Sequence, residues 1–302
     1  MSKLAVIAVG GNSLIKDDKN VTVEDQMVAL QETAHHIADM IEAGWDLAIG
    51  HGNGPQVGFI LRRSEIAAKA EGMHEVPLDV CGADSQGAIG YEFQQALQNE
   101  YHRRGLKKGA ATVITQMLVD QKDPAFQKPT KPIGSFMDEA EAQHRAKDMG
   151  WSVVEDAGRG WRRVVPSPMP NKILELESVK LLLNAGVTVI TVGGGGIPVI
   201  DKGDGEFEGT AAVIDKDFAS SLLAQEIGAE LFLIATAVEK VAINFGKPNQ
   251  QWLDKMTLAE AKAYLAEGTH FAKGSMAPKI QAISWYLENG GRRALIRNPG
   301  RV

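Results

Sequence analysis

The sequence predicts an α/β protein built on a mainly parallel sheet with helices on both faces. Three observations predict it. Apolar, β-branched runs recur along the 302 residues and several end in glycines; the segments between them carry apolar residues at helical spacing; and the two patterns alternate. Such runs suit strands buried on both faces, as a parallel sheet with its covering helices requires.

In chain order, Leu4 to Val9 reads as a strand running into Gly10, Gly11 and Asn12, followed by a helix with Met27, Leu30, Ala34, Ile37 and Ile41 on one face. Leu47 to Ile49 is the next strand and runs into Gly50-His-Gly-Asn-Gly54. There Gly54 suits an N-cap and Pro55 the first helical position. Thr112 to Val119 reads as one strand. The proline-rich stretch from about 120 to 170, with the polar turn Glu155 to Gly160, has a different texture and reads as an insertion or lid. Val179, Leu182 and Leu183 mark a helix, and Val187 to Val192 a strand closed by Gly193 to Gly196. The turn Asp201-Lys-Gly-Asp-Gly205 makes a hairpin. Strands follow at Leu231 to Ala237 and Ala294 to Ile296, and helices at Phe218 to Ile227, Leu258 to Ala266 and Pro278 to Leu287. Because parallel strands point one way, the three glycine turns are expected to meet along one edge, where ligands of such sheets bind.

Composition narrows the function. Lys and Arg number 32 against 38 Asp and Glu, a net charge of −6, which disfavours a nucleic-acid partner. No run approaches the ~18 apolar residues of a membrane span. A single cysteine, Cys81, rules out an intrachain disulfide and suits a cytoplasmic setting. Seven scattered histidines include no zinc spacing, so no metal-ligating residues are assigned. His51 reads as structural. There is no P-loop, and Gly193-Gly-Gly-Gly-Ile-Pro198 has proline where a dinucleotide fingerprint needs its third glycine.

What remains points to phosphate. Glycines after strands expose N–H groups, and a helix N-terminus adds positive partial charge. Lys216 and Lys279 each fall at a helix start, where a cation opposes the dipole unless an anion lies between, and Lys131 sits in the proline-stiffened loop Pro129-Thr-Lys-Pro132. Cations and backbone donors without a nucleophile elbow or Ser-His-Asp set are what phosphoryl transfer asks for.

The motifs Gly10-Gly-Asn12, His51-Gly-Asn-Gly-Pro-Gln-Val-Gly58, Ser85-Gln-Gly-Ala-Ile-Gly-Tyr91, Pro129-Thr-Lys-Pro-Ile-Gly134, Glu155-Asp-Ala-Gly-Arg-Gly-Trp-Arg162, Val213-Ile-Asp-Lys-Asp217 and Gly274-Ser-Met-Ala-Pro-Lys279 occur in this order. On these the chain resembles the carbamate kinases, of the amino acid kinase superfamily, from about residue 4 to 296. The resemblance implies a three-layer αβα sandwich with a protruding lid, and a cytoplasmic homodimer catalysing ADP + carbamoyl phosphate ⇌ ATP + carbamate with Mg²⁺. It implies a lobe at 1–185 for carbamoyl phosphate, carrying the lid, and one at 186–302 for the nucleotide. Lys131, Lys216 and Lys279 would neutralise the transferring group, with Asp217 holding the lysines. Gly10, Gly11, Asn12, Gly52, Asn53 and Gly54 would bind the phosphoryl substrate. Gly194, Gly195, Thr236, Ala237, Val238, Asn244 and Met276 would line the nucleotide pocket. The stretch Thr236-Ala-Val-Glu-Lys240 departs from the family's usual pattern, marking a divergent branch. This keeps two other readings in play: a kinase of another small carbamate or carboxylate, and a non-catalytic nucleotide-binding regulatory protein.

Overall fold

In a computed structural model, the structure describes residues 3–10, 22–155, 160–236, 238–272 and 274–298. The expected residues Gly11, Asn12 and Ala237, and positions 156–159 of the polar turn, lie outside them.

The first half of the chain runs β1 (Lys3–Val9), α1 (Val23–Glu42), β2 (Trp45–His51), α2 (Gly54–Glu71), α3 (Leu78–Arg104), β3 (Ala110–Thr112) and β4 (Gln116–Leu118). The lid follows as β5 (Lys131–Met137), α4 (Glu139–Met149), β6 (Ser152–Glu155) and β7 (Trp161–Val165). Next come β8 (Lys172–Ile173), α5 (Leu176–Asn184), β9 (Thr188–Ile190), β10 (Ile197–Asp201), β11 (Phe207–Gly209) and α6 (Lys216–Glu226). The chain continues through β12 (Leu231–Ala235), β13 (Val241–Ile243), β14 (Gln251–Leu253), α7 (Leu258–Glu267), α8 (Met276–Glu288) and β15 (Arg293–Arg297).

Among the described residues, six strands form the central sheet in the order β15-β12-β1-β2-β9-β3, every pairing parallel. Side chains alternate between two buried faces. Ala5, Ile7 and Val9 of β1 pack with Leu30 and Ile37 of α1 and with Ile89, Phe93 and Tyr101 of α3. Val6 and Ala8 pack on the other side with Val179 of α5, Leu223 of α6 and Tyr286 of α8. Apolar burial on both faces, at roughly 25 cal/mol per Å², is what holds the three layers together. The sheet joins both halves of the sequence, since β9 lies between β2 and β3.

The run Thr112 to Val119, expected as one strand, is two. β3 belongs to the central sheet, whereas β4 joins a second sheet ordered β11-β10-β4-β8. The break falls at Thr115, which is fully buried; its Oγ1 donates to Val113 O and accepts the Val192 N–H, so the chain turns inward there. The expected hairpin after Asp201 is present as β10 paired antiparallel with β11. The lid has its own antiparallel sheet, β5-β7-β6. It rests on α2 where a Cβ at Gly58 would lie 2.2 Å from Gly134 Cα, so glycine is required for the approach. Among the described residues, no helix is long and apolar enough to cross a membrane.

Candidate active site

At the C-terminal ends of the parallel strands lies a cleft of about 380 Å³. Its floor is made by Gly10 after β1, by Gly52, Asn53 and Gly54 after β2, and by Gly194 after β9. The Gly52 N–H donates to Val9 O at 3.0 Å, which locks the first two turns together. Asn53, not Gly54, is the N-cap of α2, and Pro55 is therefore the second helical residue. The Asn53 side chain caps nothing; its Nδ2 donates to Ser85 Oγ at 2.8 Å. Gly194 has φ +63°, and a Cβ there would strike the Asn53 amide. Only glycine lets the third turn pack on the second.

The third turn is held from α3. Gln86 Nε2 donates to Gly193 O at 2.9 Å and Thr115 O at 3.1 Å, while its Oε1 accepts the Thr115 N–H at 2.8 Å. His51 is fully enclosed and stacks on Phe93; a ring Nδ1–H donates to Gly52 O. Burial pushes its pKa down to about 4, against the Gly52 hydrogen bond, so it is neutral near pH 7 and serves the fold.

Three lysines and two aspartates close the cleft. Lys216 opens α6 and Lys279 lies in the first turn of α8; their Nζ atoms donate to the two oxygens of Asp217 at 2.5 and 2.8 Å. Asp217 is thus the anion that offsets both cations at these helix starts. Burial works against the Lys216 charge, but Asp217 and Asp215 together push its pKa above the ordinary lysine range. Burial and the neighbouring Lys216 hold Lys279 below that range. Lys131 is held differently, by Asp215, whose Oδ2 accepts from its Nζ at 2.5 Å. Asp217 therefore anchors two of the three expected lysines and Asp215 the third. Asp215 carries a sequence signal, an acidic residue immediately before a helix, where N-caps prefer to be. Ser85 and Gln86 fall in one of the motifs of the resemblance, but neither they nor Thr115 show their task in the sequence, because their partners Asn53, Gly193 and Val192 are remote.

Of the residues expected to line a nucleotide pocket, Gly194 and Thr236 face this cleft, beside Ser275. Gly195, Val238, Asn244 and Met276 do not line it. A Cβ at Gly195 would strike the Ile214 carbonyl, and Asn244 is buried with φ 55°, its N–H donating to His270 O. Met276 packs beside Ile243, Phe271 and Ile280. Among the described residues no group of three or more His, Cys, Asp or Glu is disposed to hold a metal ion.

The sequence matches the amino acid kinase family over residues 3–298. It is 49% identical over 301 residues to a carbamate kinase of Thermococcus kodakarensis, covering 99% of this chain and 95% of that protein. It is 52% identical over 298 residues to the carbamate kinase-like protein YqeA of Escherichia coli, covering 98% and 94%. Its fold superposes on carbamate kinase from Giardia lamblia bound to AMP-PNP with a TM-score of 0.91 at 40% identity, covering 100% and 94% of the two chains. Similarity over nearly the whole length, in sequence and in fold, thus places the chain: it belongs to the amino acid kinase family, among its carbamate kinases and carbamate kinase-like proteins.

Proposed function

We infer that this protein is a carbamate kinase, transferring a phosphoryl group reversibly between carbamoyl phosphate and ADP. The observation that carries the reading is Asp217 gripping both Lys216 and Lys279 above the glycine floor, in a chain 47–49% identical to carbamate kinases over nearly its whole length.

In this reading Gly10 and Gly54 offer backbone N–H groups to the phosphoryl oxygens, Gly52 and Asn53 shape the turn between them, and Gly11 and Asn12 belong to the same substrate-binding set. Lys131, Lys216 and Lys279 offset the charge that spreads over those oxygens during transfer. Fixed cations in a partly dry cleft need no reorganisation at the moment of reaction, which is where most of the acceleration arises. The carbamate oxygen is already anionic, so no general base is needed, and His51 is neither charged nor free to be one. The Asp215 and Asp217 carboxylates are both taken by lysines, leaving Mg²⁺ to arrive as part of the Mg-nucleotide substrate, held by phosphates and water. The nucleotide lies on the side of Thr236 and Ser275, with Ala237, Val238, Asn244 and Met276 shaping its surroundings. The halves 1–185 and 186–302 serve the two substrates as lobes on a shared sheet. A cytoplasmic homodimer completes the proposal.

The test is ATP formation from carbamoyl phosphate and Mg-ADP. Turnover supports the reading, and its absence in a folded sample that binds ADP overturns it. A second reading, a kinase of another small carbamate or carboxylate, is favoured by the 52% identity to a carbamate kinase-like protein and by the divergent Thr236 to Lys240 stretch. A panel of small acids with Mg-ATP separates the two. Retention of the full lysine set speaks against a purely binding role.

A further inference from the structure

Lys131 is the first residue of β5 and so belongs to the lid, while Asp215 belongs to the body of the molecule as the N-cap of α6. The two oxygens of Asp215 have separate tasks: Oδ2 accepts from Lys131 Nζ at 2.5 Å, and Oδ1 accepts the Asp217 N–H at 2.9 Å. The ion pair therefore links the lid to the start of the helix that carries Lys216 and Asp217. Both side chains line the cleft and remain 29% and 23% exposed, within reach of an arriving anion. Burial alone would raise the Asp215 carboxyl, but Lys131 and Lys216 hold it well below the usual carboxylate range, so it stays charged.

The charges differ in their freedom. Lys216 and Lys279 share one carboxylate and are only 12% and 16% exposed. Lys131 is more exposed, is hydrogen-bonded to a carboxylate that no other lysine side chain among the described residues touches, and can exchange it for another anion. We propose that Asp215 is a positioning residue for the reaction: it parks the lid lysine over the cleft and hands it to the transferring phosphoryl group. A lysine held ready loses less side-chain freedom when substrate binds, and a lid held in register brings its charge within the ångström that transfer tolerates. The inference deepens the phosphoryl-transfer reading and rests on it.

The test compares Asp215→Asn, Lys131→Met and the double variant in the full chain. Asparagine caps a helix about as well as aspartate but offers Lys131 no charge. One readout is kcat/KM for carbamoyl phosphate at saturating Mg-ADP; the other is hydrogen exchange of residues 131–137 and 161–165 without ligand. Asp215→Asn should lower kcat/KM about 10–100-fold, the scale of a misplaced catalytic group. In the Lys131→Met background the same substitution should change it less than about twofold, because the two residues act as one unit. Lid exchange should quicken in both single variants and no further in the double. An equal loss in both backgrounds, or lid exchange unmoved by Asp215→Asn, overturns the proposal. Exchange needs no turnover, so it decides the matter even if Lys131→Met is inactive, or if carbamoyl phosphate proves not to be the substrate.

Discussion

The floor of the cleft stands on β1, β2 and β9, whose last residues are buried on both faces by helices, and its lysines on α6 and α8 are pinned by a shared, buried Asp217. The lid stands on β5, β6 and β7, a small antiparallel sheet in which Ser152, Val154 and Glu155 of β6 are exposed. Its ties to the body are few: Lys131 with Asp215, Arg145 with Glu65 of α2, the approach of Gly134 to Gly58, and a small apolar cluster in which Ile133 and Val165 meet Val57, Leu78, Cys81 and Val213. Floor contacts open only with the central sheet, whereas the smaller cluster and two ion pairs under the lid can open locally at lower cost. In the proposed reaction the same cleft thus joins a preorganised charge trap to a part with fewer ties to the body.

The comparison predicts its largest effect at the floor. Lys216→Met should lower kcat for ATP formation by about 10³-fold, as removal of one preorganised donor to a developing charge does elsewhere. Asp217 would keep Lys279 as its partner, so the fold should survive, which thermal unfolding checks. A greater loss at Lys131 than at Lys216 would reverse the roles assigned to lid and floor.

A second effect also falls on the floor. His51 has a folded pKa near 4 against an ordinary value near 6.5, so the unfolded chain takes up a proton that the native one refuses. The stability involved is intact above pH 6.5 and is lost as pH falls toward 4, by about 3 kcal/mol at 1.36 kcal/mol per unit. Urea midpoints measured across this window should decline, and His51→Gln should flatten the decline.

The floor was legible in the sequence because its signals are local. Glycine after an apolar run marks a strand end whatever lies elsewhere, and the parallel order then brings Gly10, Gly52 and Gly194 to one edge. The lysines were visible as cations at helix starts that needed an anion, and Asp217 lies beside one of them. Across longer separations the sequence was silent. The Lys131–Asp215 pair spans 84 positions, and Gln86 reaches Gly193 across 107. The break at Thr115 was hidden for the same reason: its residues suit a strand, and only the distant Val192 turn draws the chain inward. Asn53 took the cap position expected of Gly54, although its side chain is spent on Ser85 and leaves the helix start uncapped.

A smaller effect tests the lid. Gly58→Ala would put a methyl 2.2 Å from Gly134 Cα, backbone that cannot swing aside as a side chain would. The lid must lift from α2, at a cost of about 1–3 kcal/mol, typical of overpacking. Because the strain can be relieved by moving the lid alone, the midpoint of global unfolding should barely shift. KM for carbamoyl phosphate should rise about tenfold and lid amides should exchange faster. A large fall in global stability would mean that lid and floor form one cooperative unit.

The smallest effect probes the floor far from its chemistry. Tyr101, near the end of α3, is almost wholly buried, and its Oη donates to Thr188 Oγ1 at 2.9 Å. Burial pushes its pKa up to about 12, so the group is a neutral donor at any working pH. Thr188 is the first residue of β9, at the end of that strand opposite the Gly193 turn. Tyr101→Phe keeps the ring packed and removes one buried hydrogen bond, worth about 1 kcal/mol. In a chain of this size that should lower Tm by about 2 °C, measurable by calorimetry. Catalysis should stay within twofold of the parent, because the Gly193 turn is held independently by Gln86 and Thr115. Were kcat to fall with Tm, β9 would be transmitting a local loosening along its length, and the floor would share the compliance assigned here to the lid alone.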